Sequence, residues 1–157
     1  MRRRCAFPGL KAADSSDRSR FRTTTNKGLR YEMAEHGDDF EWKFITPRLR
    51  VFIIAAQEAV QLCRTLLENA EVAARVPWIR EKKGKAFEQE MLRFELLCAA
   101  GALCVWAVER IEDGAFVAAI VDNPSAQGSN LELIVRRECW GLGYGDEAME
   151  PLLRWLR

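Results

Sequence analysis

Several ingredients are scarce in this 157-residue chain, and each scarcity narrows the field. It contains a single histidine, His36. Its five cysteines (Cys5, Cys63, Cys98, Cys104 and Cys139) include no Cys-x-x-Cys pair. That composition argues against a structural zinc site, and no metal is expected. Scattered thiols in an odd number fit a reducing compartment, with the cysteines acting as small buried hydrophobes. No apolar run reaches the roughly 18 residues that a membrane span requires. No segment repeats. The length fits one domain, and 48% hydrophobic with 30% charged residues is ordinary for a globular protein.

Charge is unevenly spread. Residues 1–32 carry nine Lys/Arg against three Asp/Glu, whereas residues 33–157 carry fifteen against twenty. A nucleic-acid binder would be expected to place its positive charge on the folded part, so nucleic acid is not an expected partner. Residues 1–32 show no helical or strand period and are rich in Arg, Ser and Thr. The reading is a disordered basic arm over 1–43, followed by a folded domain over 44–157. Alternatives are an organelle presequence, a nucleic-acid arm, or an extension upstream of a natural start at Met33. The expected location is cytoplasmic, or mitochondrial if the arm is a presequence.

Within 44–157 the pattern is clearer. "RLRVFII" alternates as a strand, with Leu49, Val51 and Ile53 on one face. Ala59, Leu62, Cys63, Leu66 and Ala70 recur at helical spacing, and Phe87, Met91, Phe94 and Cys98 repeat the pattern in a second helix. Gly101 should cap that helix. Three strands follow: "ALCVWAVER", "AFVAAIV" after an Asp113-Gly114 turn, and "LELIVRR" after a loop "DNPSAQGSN". The order predicts an α+β layered domain: a mixed, mostly antiparallel sheet flanked by helices.

The last strand runs into "CWGLGYGDEAMEPLLRWLR". Glycines before a helix make an anion site in principle, because free N–H groups and the positive end of the helix dipole face the ligand. The spacing Gly-x-Gly-x-Gly is not that of a dinucleotide fold, and no Lys-Ser/Thr follows to make a nucleotide loop. Element order and this stretch resemble the GCN5-related N-acetyltransferase (GNAT) superfamily. Its signature is Gln/Arg-x-x-Gly-x-Gly/Ala; Gly143 and Gly145 match, and Trp140 stands at the Gln/Arg position. The Trp-Gly-x-Gly-Tyr form, with "TPRLRV" and "LLENAEVAARVPW", is similar to the RimJ/RimL-like branch, and the resemblance covers roughly 44–157.

The resemblance implies acetyl transfer from acetyl-CoA to a primary amine, either a protein N-terminus or a small amine. It implies a coenzyme A site at Trp140, Gly141, Leu142, Gly143, Tyr144 and Gly145. The pantetheine arm would run along the strand at Leu133 and Val135, and Glu132 would be the catalytic base. Asp146 and Leu142 depart from the usual small or hydroxylic and cationic residues, and Pro151, inside the helix, removes one helical hydrogen bond and is costly unless a kink accommodates it. The family's fifth strand has no counterpart before Arg157, so the domain reads as C-terminally incomplete. The alternative is an inactive truncated fragment acting as a binding or structural module. Its open sheet edge and apolar helix face (Met149, Leu152, Leu153, Leu156) would then favour self-association.

Overall fold

The computed structural model describes residues 24–26, 29–36 and 39–156, with side chains from Phe44 onward. Seven strands lie side by side in chain order: β1 (Thr24–Asn26), β2 (Leu29–His36), β3 (Asp39–Ile45), β4 (Leu49–Ile53), β5 (Cys104–Arg110), β6 (Phe116–Ser125) and β7 (Gly128–Val135). All neighbouring pairs are antiparallel. Between β4 and β5 the chain forms α1 (Ala56–Leu67), α2 (Ala70–Ala73) and α3 (Lys85–Ala99). After β7 come a 3-10 turn (Arg137–Cys139) and α4 (Tyr144–Trp155).

Much of the expected arm over 1–43 lies outside the described residues. Where it is described, the backbone pairs as strands: Met33 stands opposite Trp42, and His36 opposite Asp39. Phe40, Trp42 and Phe44 alternate with Glu41 and Lys43, a strand period hidden behind the polar, basic stretch before it.

Alternation along the strands divides the core into two layers. On β5, Val105 and Ala107 face one side, with Ala119, Val121 and Ile134 beside them; α1 and α3 cover this side through Leu62, Cys63, Leu66, Met91 and Phe94. Trp106 and Val108 face the other side, with Phe44, Val51 and Ile120, and α4 covers it through Tyr144, Ala148 and Leu152. Gly101 takes φ +73 past the end of α3, and the Gly101 and Ala102 N–H groups close onto Cys98 and Leu97 carbonyls, as a left-handed C-terminal cap requires.

Two sequence expectations change. "DNPSAQGSN" is not a long loop. β6 continues to Ser125 and β7 begins at Gly128, joined by a two-residue turn; Gly128 has φ +124, and the Ser125 hydroxyl donates to the Gly128 carbonyl at 2.8 Å. Pro124 is tolerated because the β5 ladder has already ended at Cys104–Asp122. The apolar face of the last helix is not left bare: Leu152 is fully buried, and Met149 and Leu156 are half-buried against the same cluster, though Leu153 is exposed. Helix α4 also continues through Pro151, which is buried, to Trp155. Among the described residues, the outer edge of β7 pairs with no strand, and no helix is long and apolar enough to cross a membrane.

Candidate functional site

The site grows from the way β7 ends. The Arg136 N–H closes the last rung onto Val117 (2.9 Å), and the 3-10 turn redirects the chain. Trp140 folds back, its indole N–H donating to the Val135 carbonyl at 2.9 Å. Gly141 and Gly143 then take φ +78 and +77, a left-handed conformation costly for other residues, and Gly143 caps α4. The free N–H groups of α4's first turn therefore open next to the end of β7.

Gly145 serves a different purpose. A Cβ there would lie 2.6 Å from a Leu133 methyl, so its hydrogen side chain lets α4 press against β7. Gly145→Ala is expected to push Leu133 aside and lower stability by about 1–2 kcal/mol. The same change in a Leu133→Ala background should cost less, a coupling that thermal denaturation of the four proteins would measure.

A clamp from the β3–β4 turn holds the loop. Arg48 donates from Nη1 to the Leu142 carbonyl (2.9 Å) and from Nε to Glu147 (2.6 Å), and its guanidinium lies 4.5 Å over the Tyr144 ring. Glu147 also accepts from the Arg48 N–H (3.0 Å) and the Thr46 hydroxyl (2.5 Å). Burial opposes charge on Glu147, but the Thr46 and Arg48 hydrogen bonds outweigh it and hold the carboxyl below its usual range. Its contribution to stability is therefore present at neutral pH and is lost as pH falls through the folded-state pKa. The sequence offered no local signal for this clamp, because its partners are 99 residues apart.

An open cleft of about 500 Å³ lies between α2 and the loop. Leu133, Val135, Trp140, Gly141, Gly143, Tyr144 and Gly145 line it, as does the expected misfit Asp146. Leu142 does not; it is 49% exposed beside the cleft, and its carbonyl is engaged by Arg48. Arg137, a candidate cation in sequence, is tied to Glu71 at 2.7 Å. Neither it nor Arg136 lines the cleft.

Glu132 sits apart, because alternation turns it to the opposite face of β7 from Leu133. It lines a second cleft of about 160 Å³, together with Trp78, Asn123, Asn130 and residues of α3. Its Oε2 accepts from the Trp78 indole N–H at 3.0 Å; its Oε1 is buried and has no donor among the described residues. Trp78 is itself stacked on Phe94, with centroids 5.2 Å apart and planes 4° from parallel. Burial raises the Glu132 pKa, partly countered by the Trp78 hydrogen bond. Ile134, one step along the same face, borders the glycine cleft, so the two clefts adjoin along β7.

Cys104 is disulfide-bonded, which departs from the expectation of scattered free thiols, and neither Cys63 nor Cys98 is a good nucleophile candidate. Burial pushes the Cys63 thiol far above its ordinary value and the Cys98 thiol up to about 11. Among the described residues, no group of three or more His, Cys, Asp or Glu is placed to hold a metal.

No protein-family model matches the chain, and no curated relative matches its sequence. Solved structures do. RimL, a ribosomal L7/L12 alpha-N-protein acetyltransferase, superposes with a TM-score of 0.51 at 11% identity, over 78% of this chain and 68% of that one. A Vibrio cholerae protein designated a ribosomal-protein-serine acetyltransferase gives 0.48 at 19% identity, over 73% and 66%. The ribosomal-protein-S5-alanine acetyltransferase of Vibrio fischeri gives 0.47 at 15% identity, over 72% and 66%. The chain thus shares the α+β fold of the RimL structure, and it spans 66–68% of the length of these three proteins.

Proposed function

We propose that the chain binds acetyl-CoA at the glycine cleft and transfers the acetyl group to a primary amine, with a protein N-terminus as the favoured acceptor. The observation that carries this reading is convergence. Seven of the eight residues expected to hold coenzyme A line one cleft at the first turn of a twelve-residue helix. The loop residues fit a pyrophosphate: two left-handed glycines expose backbone N–H groups, and the helix dipole favours negative charge. Asp146 works against it. Along β7, the unpaired edge offers N–H and C=O groups to the amides of an extended arm, as a strand would.

Acyl transfer needs an amine stripped of its proton and a donor aimed at the developing oxyanion. Glu132 is the proposed base. Trp78 holds Oε2, while Oε1, which has no donor among the described residues, is the oxygen that can take the proton through a water. The amine attacks the thioester carbonyl, the thiolate leaves, and the amine proton passes to Glu132.

Isothermal titration of the folded protein with acetyl-CoA tests the first half of this reading. Saturable binding that is retained in Leu142→Ala and weakened in Gly143→Val is expected. No heat from folded protein would sink it. Asp146 in the cleft favours a second reading, a module that binds acyl-CoA without turning it over. Binding without thiol release in the presence of peptide and polyamine acceptors would select that one.

A further inference from the structure

The glycine loop, Trp140 to Gly145, contains no cation of its own, and Asp146 after it adds a negative charge. A guanidinium nevertheless reaches the cleft from elsewhere in the fold. Arg75, just past α2, lines it, with its Cζ 3.8 Å from the centroid of the Trp140 ring. That ring cannot turn freely, since its N–H is bonded to the Val135 carbonyl. Arg137 lies 4.5 Å from the same centroid but is committed to Glu71. Among the described residues, Arg75 has no carboxylate within ion-pairing distance.

We propose that Arg75, seated on Trp140, is the phosphate-binding residue of this cleft. The inference rests on the coenzyme A reading above and adds a residue and a chemistry to it. Stacking on an indole leaves the edge of a guanidinium, with its N–H groups, free to meet phosphate oxygens. It also pre-orders a long side chain before the ligand arrives, which reduces the entropy lost on binding. The Arg75 charge opposes that of Asp146, which lines the same cleft. Two segments distant in sequence, Arg75 and Trp140, thereby do together what one arginine in the loop would do alone.

Calorimetric titration of wild type, Arg75→Ala, Arg75→Lys and Arg75→Glu with coenzyme A and with inorganic pyrophosphate tests this. Arg75 is exposed, so the variants should fold with unchanged Tm. The expected result is about tenfold weaker coenzyme A binding in Arg75→Ala, more in Arg75→Glu, and partial retention in Arg75→Lys, which keeps charge but loses the stacked fork. The salt dependence of binding should also fall in Arg75→Ala. Wild-type binding of coenzyme A with the same affinity in Arg75→Ala overturns the assignment and leaves the coenzyme A reading standing. Pyrophosphate binding that depends on Arg75, without coenzyme A binding, upholds the assignment and overturns that reading. Binding of neither ligand overturns both.

Discussion

Glu132→Gln should lower kcat/KM for acetyl transfer by about two orders of magnitude while leaving acetyl-CoA affinity unchanged. The substitution is close to isosteric, and the Trp78 indole can donate to the glutamine carbonyl oxygen as it does to the carboxylate. The wall of the second cleft, including the Trp78–Phe94 stack, should therefore persist. What is lost is the capacity to take a proton from the amine. Thiol release from acetyl-CoA, followed with peptide and polyamine acceptors, measures it. Full activity in Glu132→Gln would place the base elsewhere; loss of acetyl-CoA binding as well would make Glu132 structural. The pH profile adds a second readout. Burial raises the Glu132 pKa, so the acid limb of kcat/KM should lie above the ordinary carboxylate range. Trp78→Phe removes a hydrogen bond to the charged form, which should move that limb to higher pH still.

Trp106→Ala should cost about 3–5 kcal/mol of stability, the largest loss expected from a single core truncation here. Trp106 is fully buried; it stacks on Phe44 at 5.3 Å and meets Trp155 edge-on at 5.8 Å. Phe44 and Trp155 also touch, at 6.0 Å, so three rings from β3, β5 and the end of α4 form one cluster. Removing the central ring would leave a cavity and loosen the helix whose first turn forms the glycine cleft. Urea denaturation would show the loss, and acetyl-CoA binding should weaken with it. The Trp106 indole N–H is buried without an acceptor among the described residues. Trp106→Phe removes that unsatisfied donor and keeps an aromatic ring, so its cost should be well below that of alanine. Equal losses in the two variants would show that the indole's bulk, and not its aromatic contacts, supports the cluster.

Much of the scaffold was legible in the sequence because its signals are local. The alternation of Val105 and Ala107 against Trp106 and Val108, the helical stripe of α1, and the left-handed Gly101 all follow from backbone periodicity and sterics. The loop glycines and the Leu133–Val135 face were legible for the same reason. Other features were hidden because they join distant segments. The Thr46–Arg48–Glu147 clamp and the Arg75–Trp140 stack depend on where the helices lie against the sheet, which brings segments distant in sequence together. Leu142 was placed in the coenzyme site by its position in a motif, yet Arg48 engages its carbonyl outside the cleft. Asp122–Asn130 reads as a loop by composition, although Asn123 pairs with Asn130 and Pro124 with Ser129; turn-forming residues do not reveal how few of them a turn uses.

The tight turn between Ser125 and Gly128 has a consequence for the chemistry at the other end of the hairpin. It fixes Val121 opposite Glu132 and Ala118 opposite Val135. In a strand, a slip of one residue carries every side chain to the other face. One residue added to or removed from this turn, with β7 slipping by one to follow, would swing the Glu132 carboxylate from the Trp78 side to the α4 side. Leu133, after a deletion, or Leu131, after an insertion, would stand where the acid had been. The side of the sheet on which this protein carries its acid is thus set by two residues, Ala126 and Gln127, that touch neither cleft.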